Sequence, residues 1–388
     1  MHQSVQQLLH APARSACHRL ARSLALPFLV ACSSTPTTPA DPDVPLGLQR
    51  TVDSIATAER IPGVVIEVRT AGGVEYVLTS GVSSLESRKR IRATDRFRVA
   101  SVTKAMVATV ILQLVDEGRL ELTDTLQRLL PGIVPSAARI TVRQLLDHTA
   151  GLPDYTNDEA FIEAVLADPG KAWTPAQLIS ISNRMPRLFE PGAPGQHAYS
   201  NTDYVLLGMV IEAVTRRTVA EELSARLFVP LGMTRSSYST SPSLPAPFAQ
   251  GYVDLDDAQR DIPVGTILSP TWGGAAGAVV STAPDLSRFV DALASGRLVR
   301  PATFAAQRTP VAGSAVRFPG ERVDVQYGLG VILSDGWIGH NGAIPGYEAE
   351  AHAKTGVGSI VVLLNRSTDM GASRAIFTAV RRAQFETP

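Results

Sequence analysis

The chain has very few cysteines and lysines. Its 388 residues include two cysteines, Cys17 and Cys32, both near the N-terminus, which excludes a framework of disulfide bridges in the main body. Only four of the 36 basic side chains are lysine, and the 36 acidic side chains bring the formal net charge to zero. A chain without a basic excess is a poor candidate for binding nucleic acid, so we expect no nucleic-acid partner.

The main body also lacks an apolar run long enough to cross a bilayer as a helix, which takes about 20 residues. Its apolar fraction of 45% and charged fraction of 19% are those of an ordinary globular protein, not of a mostly disordered one. The histidines show no spacing typical of metal ligands, and no phosphate-binding glycine loop precedes a helix. We therefore predict neither a metal nor a cofactor.

The first 45 residues have the pattern of an export signal. Basic residues precede a short apolar run, residues 23–31, and the tetrapeptide 29–32 reads Leu-Val-Ala-Cys. The run fits the core of a signal peptide, and its end is similar to a bacterial lipoprotein box, in which the cysteine is lipidated. We predict a signal peptide over residues 1–31 and a polar, Pro-rich tether over residues 32–45. The lipid on Cys32 would hold the protein to a membrane on the extracytoplasmic face of the bacterial envelope. The alternative is a plain secretory signal.

Residues 46–388 have strand patterns at both ends and helix patterns in the middle. Strands are predicted at 64–68, 74–78, 327–333, 348–353 and 360–365. Helices are predicted at 105–117, 142–148, 175–183, 203–215 and 371–385. The simplest architecture is an α+β fold: a mostly antiparallel sheet built from both termini and flanked by helices, with a mostly helical insertion over about residues 120–265.

Ser101 and Lys104 stand three residues apart at the start of a predicted helix. Residues at this spacing share one helix face, so the lysine lies one turn behind the serine. A serine hydroxyl is a poor nucleophile until a neighbour takes its proton. A lysine in a dry cleft can have its pKa lowered enough to serve as that base. The alternative is a helix-capping serine followed by a surface lysine.

The second motif, Tyr199-Ser200-Asn201, follows a loop rich in proline and glycine and precedes a predicted helix. A tyrosine near a lysine can pass a proton to a leaving group, and an asparagine can hydrogen-bond both the lysine and a substrate amide. The alternative is a core tyrosine and an asparagine that caps the helix starting near Asp203.

The third motif, His340-Asn341-Gly342, follows an apolar segment with the pattern of a strand. A strand edge with a polar or cationic residue would form the far wall of a cleft beside a nucleophilic serine. Its backbone N–H could then pair with that of Ser101 as an oxyanion hole. Gly342 would let substrate lie close to the main chain. The alternative is a strand-end histidine without a catalytic role.

Together the three motifs resemble those of the penicillin-recognising serine hydrolases, the superfamily of serine β-lactamases and D-Ala-D-Ala carboxypeptidases. The resemblance is to the branch with the DD-peptidases, class C β-lactamases and related esterases. Segments 145–152, 189–192, 228–233 and 274–286 are similar to stretches of that family, in the same order. The resemblance covers roughly residues 50–380 and implies the β-lactamase/transpeptidase-like fold.

The resemblance implies a role for each residue of the first two motifs. Ser101 would be the acylated nucleophile and Lys104 its base or proton relay. Tyr199 would protonate the leaving group and later activate the deacylating water. Asn201 would hold Lys104 and the substrate amide. Whether Lys104 or Tyr199 is the general base is disputed in this superfamily, and both stay open here.

The resemblance also implies the rest of the cleft. The backbone amides of Ser101 and Ala343 would hold the oxyanion. The third motif, residues 340–342, would contact substrate, with His340 standing where β-lactamases of this branch carry a lysine. Trp272 would line the cleft, unless it is a core residue.

Lys354-Thr355-Gly356 spells the third motif of the β-lactamases in a different place. In the family this motif precedes a Gly-Tyr or Gly-Phe segment and two more strands. That description fits His340–Gly342, which is followed by Gly346-Tyr347. We predict an exposed hairpin turn at Lys354–Gly356.

A histidine in the third motif resembles the carboxypeptidase-type and aminopeptidase-type members more than true β-lactamases. We therefore expect a serine hydrolase, with D-alanyl-D-alanine carboxypeptidase activity on cell-wall peptides as the leading prediction. One feature departs from the DD-peptidases, which carry an arginine before the third motif to grip the substrate's terminal carboxylate. Residues 327–339 contain no Lys or Arg. A protonated His340, Arg317 or Arg322 could supply the charge.

Without such a group, an esterase or other acyl hydrolase with neutral substrates is the alternative. A class C-like β-lactamase and a non-catalytic envelope protein that kept the fold are also open. The expected partner is a small peptide, ester or β-lactam. If charge on His340 matters, activity should change between about pH 5 and 8, where an unperturbed histidine titrates.

Overall fold

The computed structural model describes residues 44–254, 261–315, 324–368 and 370–386. The predicted signal peptide, Cys32 and nearly all of the predicted tether lie outside these ranges, as do Arg317 and Arg322. Within the described ranges, no helix combines the length and the apolar character that crossing a membrane takes.

The described chain alternates between helices and short strands in the middle and has its long strands at the two ends. The helices are Leu48–Ala58 (α1), Val102–Asp116 (α2), Leu126–Leu129 (α3), Val142–Leu146 (α4), Glu159–Ala167 (α5), Pro175–Ser182 (α6), Asn201–Thr215 (α7), Val219–Leu223 (α8), Ala283–Ala294 (α9), Pro301–Gln307 (α10) and Gly371–Phe385 (α11). The strands are Gly63–Thr70 (β1), Glu75–Gly81 (β2), Phe97–Arg98 (β3), Ser237–Tyr238 (β4), Tyr252–Asp254 (β5), Asp261–Pro263 (β6), Val279–Ser281 (β7), Gln326–Tyr327 (β8), Ile332–Ser334 (β9), Trp337–Ile344 (β10), Tyr347–Lys354 (β11) and Gly358–Leu364 (β12).

The main sheet joins the two ends of the chain. Its order is β2-β1-β12-β11-β10-β9-β8, and every neighbouring pair is antiparallel. The central pairing sets Val65 of β1 opposite Leu363 of β12. The helices from α2 to α8 come between these two sets of strands in the sequence. This confirms the predicted α+β fold with a sheet from both termini and a helical insertion.

Both faces of the sheet are covered by other parts of the fold. Side chains on a strand point alternately to the two faces. On β12, Ile360, Val362 and Leu364 pack with the terminal helices α1 and α11. Val361 and Leu363 point the other way, into the core that includes α2 and α9. Coverage on both faces explains why β12 is an unbroken apolar run instead of an alternating one.

Helix α2 runs through the interior, and residues on all its sides are buried. A helix that is apolar all round is expected in a core. Lys104 is one of three polar residues that α2 carries there, with Thr103 and Thr109. Thr103 accepts a hydrogen bond from the backbone of Val279 (3.1 Å), and Thr109 donates to a carbonyl of its own helix. Sequence position on α2 therefore puts Lys104 out of reach of bulk water.

The prediction of one strand over residues 327–333 is wrong. The chain instead forms a tight hairpin of β8 and β9, with Tyr327 opposite Ile332. Gly330 makes the reversal, with a φ of 73°, a value that glycine adopts at little cost. A Cβ there would stand 2.2 Å from Ala108 of α2 and 2.6 Å from the Tyr204 hydroxyl of α7. The turn therefore presses directly against the two helices that carry the first two motifs.

Candidate active site

Ser101 lies directly before α2 and is 6% exposed. Within the described structure its hydroxyl caps no backbone N–H of that helix, so the interpretation as a capping serine is wrong. The preceding Ala100 has a φ of 47°, a conformation that costs a non-glycine residue roughly 1–2 kcal/mol. The serine hydroxyl is thus left for other partners.

The side chain of Lys104 is fully buried and directed at Ser101. Its Nζ lies 3.0 Å from the Ser101 Oγ, 2.7 Å from the Asn201 Oδ1 and 2.9 Å from the Ala276 carbonyl oxygen. The last two oxygens can only accept. A neutral amine would donate its two N–H groups to them and turn its lone pair to the serine O–H. The arrangement therefore suits a base, and the interpretation as a surface lysine is wrong.

Burial lowers the pKa of Lys104 to about 7, because the ammonium form loses its hydration in the interior. The negative charges of Asp154 and Asp203 act in the opposite direction. An ordinary lysine, with a pKa near 10.4, is almost wholly charged at neutral pH. Lys104 is instead close to half neutral there, which is the state that can accept the serine proton.

Tyr199 lies against the same amine, with its ring centroid 4.8 Å from the Lys104 Nζ. Burial, helped by Tyr327, raises the pKa of the Tyr199 phenol well above its usual value, and the Ser101 hydroxyl acts in the opposite direction. The phenol oxygen is buried and makes no well-formed hydrogen bond to a described residue. A neutral phenol beside an amine and a serine can donate a proton to a group that enters the site.

Asn201 is the first residue of α7, not the cap of a helix starting near Asp203. Its Oδ1 accepts from Lys104. Its Nδ2 donates to Asp154 Oδ2 at 2.9 Å and to the Thr156 hydroxyl at 3.4 Å. The structure thus brings Asn201 to Lys104 as the resemblance implies, and the weaker of its N–H contacts is the one that a substrate could replace.

His340 is buried within β10, with both ring nitrogens engaged. Its Nε2 lies 3.0 Å from the Tyr327 hydroxyl and its Nδ1 lies 2.5 Å from the Asn341 carbonyl oxygen. A neutral ring that donates from Nδ1 and accepts from Tyr327 satisfies both contacts. Burial, helped by the charge of Lys104, lowers the pKa of His340 to about 3. Both ring nitrogens are thus engaged and the low pKa favours the neutral ring, so the structure gives no support to a protonated His340 that grips a carboxylate.

The third motif approaches Ser101 through its backbone. A Cβ on Gly342 would stand 2.4 Å from the Val99 carbonyl oxygen and 2.8 Å from the Ser101 amide nitrogen. In the described part of the sheet β9 pairs with β10 only as far as Gly339. The edge beyond it, which includes Ala343, is open toward the serine.

The direction of the backbone groups on this edge follows from strand alternation. The Asn341 carbonyl is bonded by the His340 ring, and residues two apart on a strand turn their N–H and C=O to the same side. By this alternation the Ala343 N–H lies on the same side of β10 as the Asn341 carbonyl. This is the placement that an oxyanion hole of Ser101 and Ala343 requires, and their role remains a prediction.

Trp272 stands at the start of the loop that closes the site on a further side. It is half-buried, and its carbonyl accepts from the Tyr155 hydroxyl (2.5 Å). Its indole N–H is buried without a described partner. A short 3₁₀ turn follows, Gly274–Ala276, and ends at the carbonyl that binds Lys104. The loop belongs to the site, while contact between the Trp272 ring and substrate remains a prediction.

A set of buried aromatic and ionisable side chains lies beneath the Tyr199 ring. His148 stacks on it at 4.4 Å between centroids and contacts Asp203 through Nδ1 at 2.8 Å. Burial lowers the pKa of His148 well below its usual value and raises that of Asp203 well above. The His148 carbonyl accepts from the Ala198 N–H at 3.1 Å. The set therefore fixes the segment that carries Tyr199. In the described ranges, no three His, Cys, Asp or Glu side chains are placed to hold a metal ion.

Sequence reasoning missed Asp154, whose carboxylate binds both the backbone and the side chain of Asn201. The available signal was Asp154-Tyr155-Thr156, a pattern typical of a turn closed by an aspartate side chain. That pattern explains the local turn, but it does not show which helix the second carboxylate oxygen reaches. It also missed the Ala276 carbonyl, since no side chain marks a backbone acceptor.

A serine beside a buried amine, with a phenol and an unpaired strand edge nearby, is an arrangement that suits a serine hydrolase on an α+β scaffold. The particular family follows from the comparison with known proteins. Residues 48–384 match the Beta-lactamase family, and the chain belongs to it.

Relatives in this family have more than one named activity. The chain is 28% identical over 357 residues to penicillin-binding protein 4 of Amycolatopsis lactamdurans, covering 86% of this chain and 87% of that one. It is 30% identical over 302 residues to a D-aminopeptidase of Brucella anthropi, covering 74% of this chain and 53% of that protein.

The solved structures it resembles include a D-stereospecific amidohydrolase and a D-amino acid amidase. A D-stereospecific amidohydrolase from Streptomyces sp. is 33% identical, with a TM-score of 0.76 and coverage of 87% of this chain and 98% of that one. The D-amino acid amidase of Ochrobactrum anthropi SV3, complexed with L-phenylalanine amide, is 26% identical, with a TM-score of 0.72 and the same coverage.

Proposed function

We propose that this serine hydrolase cleaves amide bonds of small D-amino acid compounds, and that it prefers an uncharged leaving group. One observation carries the preference. The wall before the third motif, residues 327–339, has no Lys or Arg, and His340 is neutral because its pKa is about 3. A substrate carboxylate placed there would lose its hydration without gaining a cationic partner from residues 327–340, which is costly. The similarity to a D-amino acid amidase and a D-stereospecific amidohydrolase supports the amide bond and the D configuration.

Acylation would begin with the neutral amine of Lys104. It takes the proton from Ser101 as the serine oxygen attacks the substrate carbonyl. The N–H groups of Ser101 and Ala343 would stabilise the oxyanion. Tyr199 then donates its proton to the leaving nitrogen, the C–N bond breaks, and the Lys104 ammonium returns a proton to the phenolate. The products are an ester on Ser101 and a neutral amine or ammonia.

Deacylation would use the same groups in reverse. A water molecule takes the place of the leaving amine and gives its proton to the Tyr199–Lys104 pair as it attacks the ester. The acid product leaves, and the proton on Lys104 returns to Ser101.

D-alanyl-D-alanine carboxypeptidase activity is the second candidate. The similarity to penicillin-binding protein 4 over nearly the whole of both chains favours it. A carboxypeptidase substrate differs from an amide substrate in the charge at its end, so one chemical change separates the two proposals.

The deciding experiment compares two peptides with the purified protein. One is diacetyl-L-Lys-D-Ala-D-Ala with a free carboxylate, and the other is the same peptide with a C-terminal carboxamide. We expect kcat/KM for the carboxamide to be higher by about tenfold or more, since a buried unpaired charge costs at least 1–3 kcal/mol. D-phenylalanine amide and L-phenylalanine amide then test the stereochemistry by release of ammonia.

Ser101→Ala is the control, and all turnover should disappear in it. Faster release of D-alanine from the free carboxylate would overturn the preference and favour the carboxypeptidase. Turnover that survives in Ser101→Ala would overturn the whole mechanism.

We also propose that the protein is exported and lipidated on Cys32. The support is the order of basic region, apolar run and cysteine in the sequence. Metabolic labelling with an alkyne fatty acid should tag the full chain, and Cys32→Ala should abolish the tag. Equal labelling of both would show that the cysteine is not the site.

A further inference from the structure

Asp154 joins two parts of the fold through the two oxygens of one carboxylate. It lies on the loop between α4 and α5 and is 6% exposed. Its Oδ1 accepts from the N–H and the hydroxyl of Thr156, at 3.0 and 2.8 Å. Its Oδ2 accepts from the backbone N–H and the side-chain Nδ2 of Asn201, at 3.1 and 2.9 Å. The carboxylate thus ties its own turn to the first residue of α7.

The loop that carries Asp154 is held independently of substrate. The neighbouring Pro153 carbonyl accepts from the Thr202 hydroxyl at 2.7 Å and from the Ser182 hydroxyl at 2.8 Å. Both helices, α6 and α7, therefore anchor the main chain next to Asp154. The carboxylate is in place before any ligand binds.

This placement decides which way the Asn201 amide faces. A carboxylate only accepts hydrogen bonds, so it attracts the NH₂ end of an amide and repels the carbonyl end. With Nδ2 held by Asp154, Oδ1 must face Lys104. A flipped amide would point its NH₂ at the amine and compete with Ser101 for the lone pair.

Asp154 also places a negative charge near the base. The titratable side chains that face Lys104 are those of Asp154, Asp203, Tyr199, Tyr204, His148 and His340. Among them, only Asp154 also binds the asparagine that contacts the amine. Its charge favours the ammonium form, against the effect of burial.

We propose that Asp154 is a positioning residue for the acylation step, which through Asn201 aims the Lys104 lone pair at Ser101. The proposal rests on the acylation of Ser101 in the proposed function, but not on the amide substrate. What distinguishes the Asp154 turn from a purely structural turn is the contact between its carboxylate and Asn201.

The chain offers a matched control for this test in Asp147. It is also 6% exposed, and its Oδ1 accepts from the N–H and the hydroxyl of Thr149, at 3.3 and 2.6 Å. Asp147-His148-Thr149 and Asp154-Tyr155-Thr156 are thus the same kind of turn. Asp154→Asn and Asp147→Asn remove the same charge from each, but only the first disturbs Asn201.

The readout is the rate at which a fluorophosphonate labels Ser101 in the full chain, measured from pH 5 to 9. This reagent needs an activated serine and no particular acyl group. In Asp154→Asn we expect the maximal rate to fall by about tenfold or more. The acid limb of the rate–pH profile should move to lower pH by about one unit, because a negative charge that raised the pKa of Lys104 is gone. Asp147→Asn should keep the limb near pH 7 and the rate within about twofold.

A folded Asp154→Asn with the wild-type rate and limb would overturn the proposal, as would an equal loss in Asp147→Asn. A double-mutant cycle tests the route through the asparagine. In an Asn201→Ala background, Asp154→Asn should lower the maximal rate no further. A second tenfold fall there would mean that Asp154 acts by another route.

If Asp154→Asn melts early, Thr156→Val is the substitute, since it loosens the carboxylate but keeps its charge. The rate should then fall several-fold while the limb stays in place, and an unchanged rate would contradict the proposal. A wild-type protein that is labelled but hydrolyses no amide would refute the proposed substrate and leave this inference standing. A wild-type protein labelled no faster than Ser101→Ala would refute both.

Discussion

Two tripeptides on the last strands of the sheet show how position decides the chemistry of a motif. His340-Asn341-Gly342 lies inside β10, while Lys354-Thr355-Gly356 forms the turn between β11 and β12. The first is packed against the backbone of Ser101. In the second, Thr355 and Gly356 are exposed and Lys354 is half-buried. Around Gly356 no described atom would lie within 4 Å of a Cβ. The sequence that spells the β-lactamase motif is thus the one far from the nucleophile's backbone.

The same contrast holds for the two lysines. Lys104 is fully buried, and its hydrogen bonds to described residues go to neutral oxygen atoms, of Ser101, Asn201 and Ala276. Lys354 keeps 33% of its side chain exposed, with Asp335 at 3.6 Å. Loss of hydration is the largest cause of the lowered pKa of Lys104. Burial, not the identity of the residues next to it in sequence, therefore makes Lys104 a candidate base.

The largest expected effect separates these two lysines. Lys104→Met should lower kcat/KM by about 10²–10⁴-fold, the range for loss of a general base. Lys354→Met should leave it within about twofold, because an exposed ion pair contributes at most about 1 kcal/mol. Steady-state kinetics on one amide substrate, with circular dichroism to verify folding, measures both.

A Lys104→Met enzyme that keeps a tenth of the activity would show that another group takes the serine proton. Tyr199 would then be the remaining candidate. Equal losses of kcat/KM in Lys104→Met and Lys354→Met would contradict the contrast between the two lysines.

The next effect concerns the two glycines. Any side chain at Gly342 would meet backbone atoms of Val99 and Ser101 at 2.4 and 2.8 Å, which cannot rotate away. Gly342→Ala should push β10 from the serine and lower kcat/KM by about 10²–10³-fold, as when an oxyanion donor is lost. KM should change far less than kcat, because the oxyanion forms only in the transition state.

Gly356→Ala is the matched control. Gly356 has a φ of 73°, so alanine costs roughly 1–2 kcal/mol of stability there. Its melting temperature should fall while kcat/KM stays unchanged. Full activity in Gly342→Ala would contradict the placement of the oxyanion hole at Ser101 and Ala343.

Much of the fold could be predicted because the strands and helices show clear hydrophobic periodicity and have turn or capping residues at their ends. Gly72-Gly73 lies between β1 and β2 and is a dipeptide typical of a hairpin turn. The terminal helix is predicted with the bounds it has, Gly371–Phe385. Sequence reasoning missed the hairpin of β8 and β9, although Gly328 and Gly330 are residues typical of a turn. The sequence does not show that Gly330 lies against Ala108 and Tyr204, which are distant along the chain.

The groups of the site also divide into those that the sequence predicts and those that only the structure shows. Side chains that act through their own chemistry, such as Ser101, Lys104 and Tyr199, stand out by type and spacing, and the structure brings them together. Groups that act from the backbone or across the fold do not. The Ala276 carbonyl and the Asp154 carboxylate reach Lys104 and Asn201 only because separate loops meet there.

The smallest expected effect is on the pH dependence, and it separates Lys104 from His340. The acid limb of kcat/KM should lie near pH 7, because Lys104, with a pKa of about 7, must lose its proton before it can act as base. Activity should therefore rise as pH rises through 7. This window overlaps that of an ordinary histidine, so the limb alone does not identify the group.

His340→Gln makes the identification. With a pKa of about 3, His340 is neutral on both sides of the limb, and its removal changes no charge near Lys104. Glutamine can still donate to the Asn341 carbonyl and accept from Tyr327. We expect kcat/KM to fall by about tenfold or less, the loss typical of a disturbed hydrogen bond, with the limb still near pH 7. A limb that disappears in His340→Gln would assign the titration to the histidine. The third motif would then be cationic in the working enzyme, and the preference for an uncharged leaving group would lose its basis.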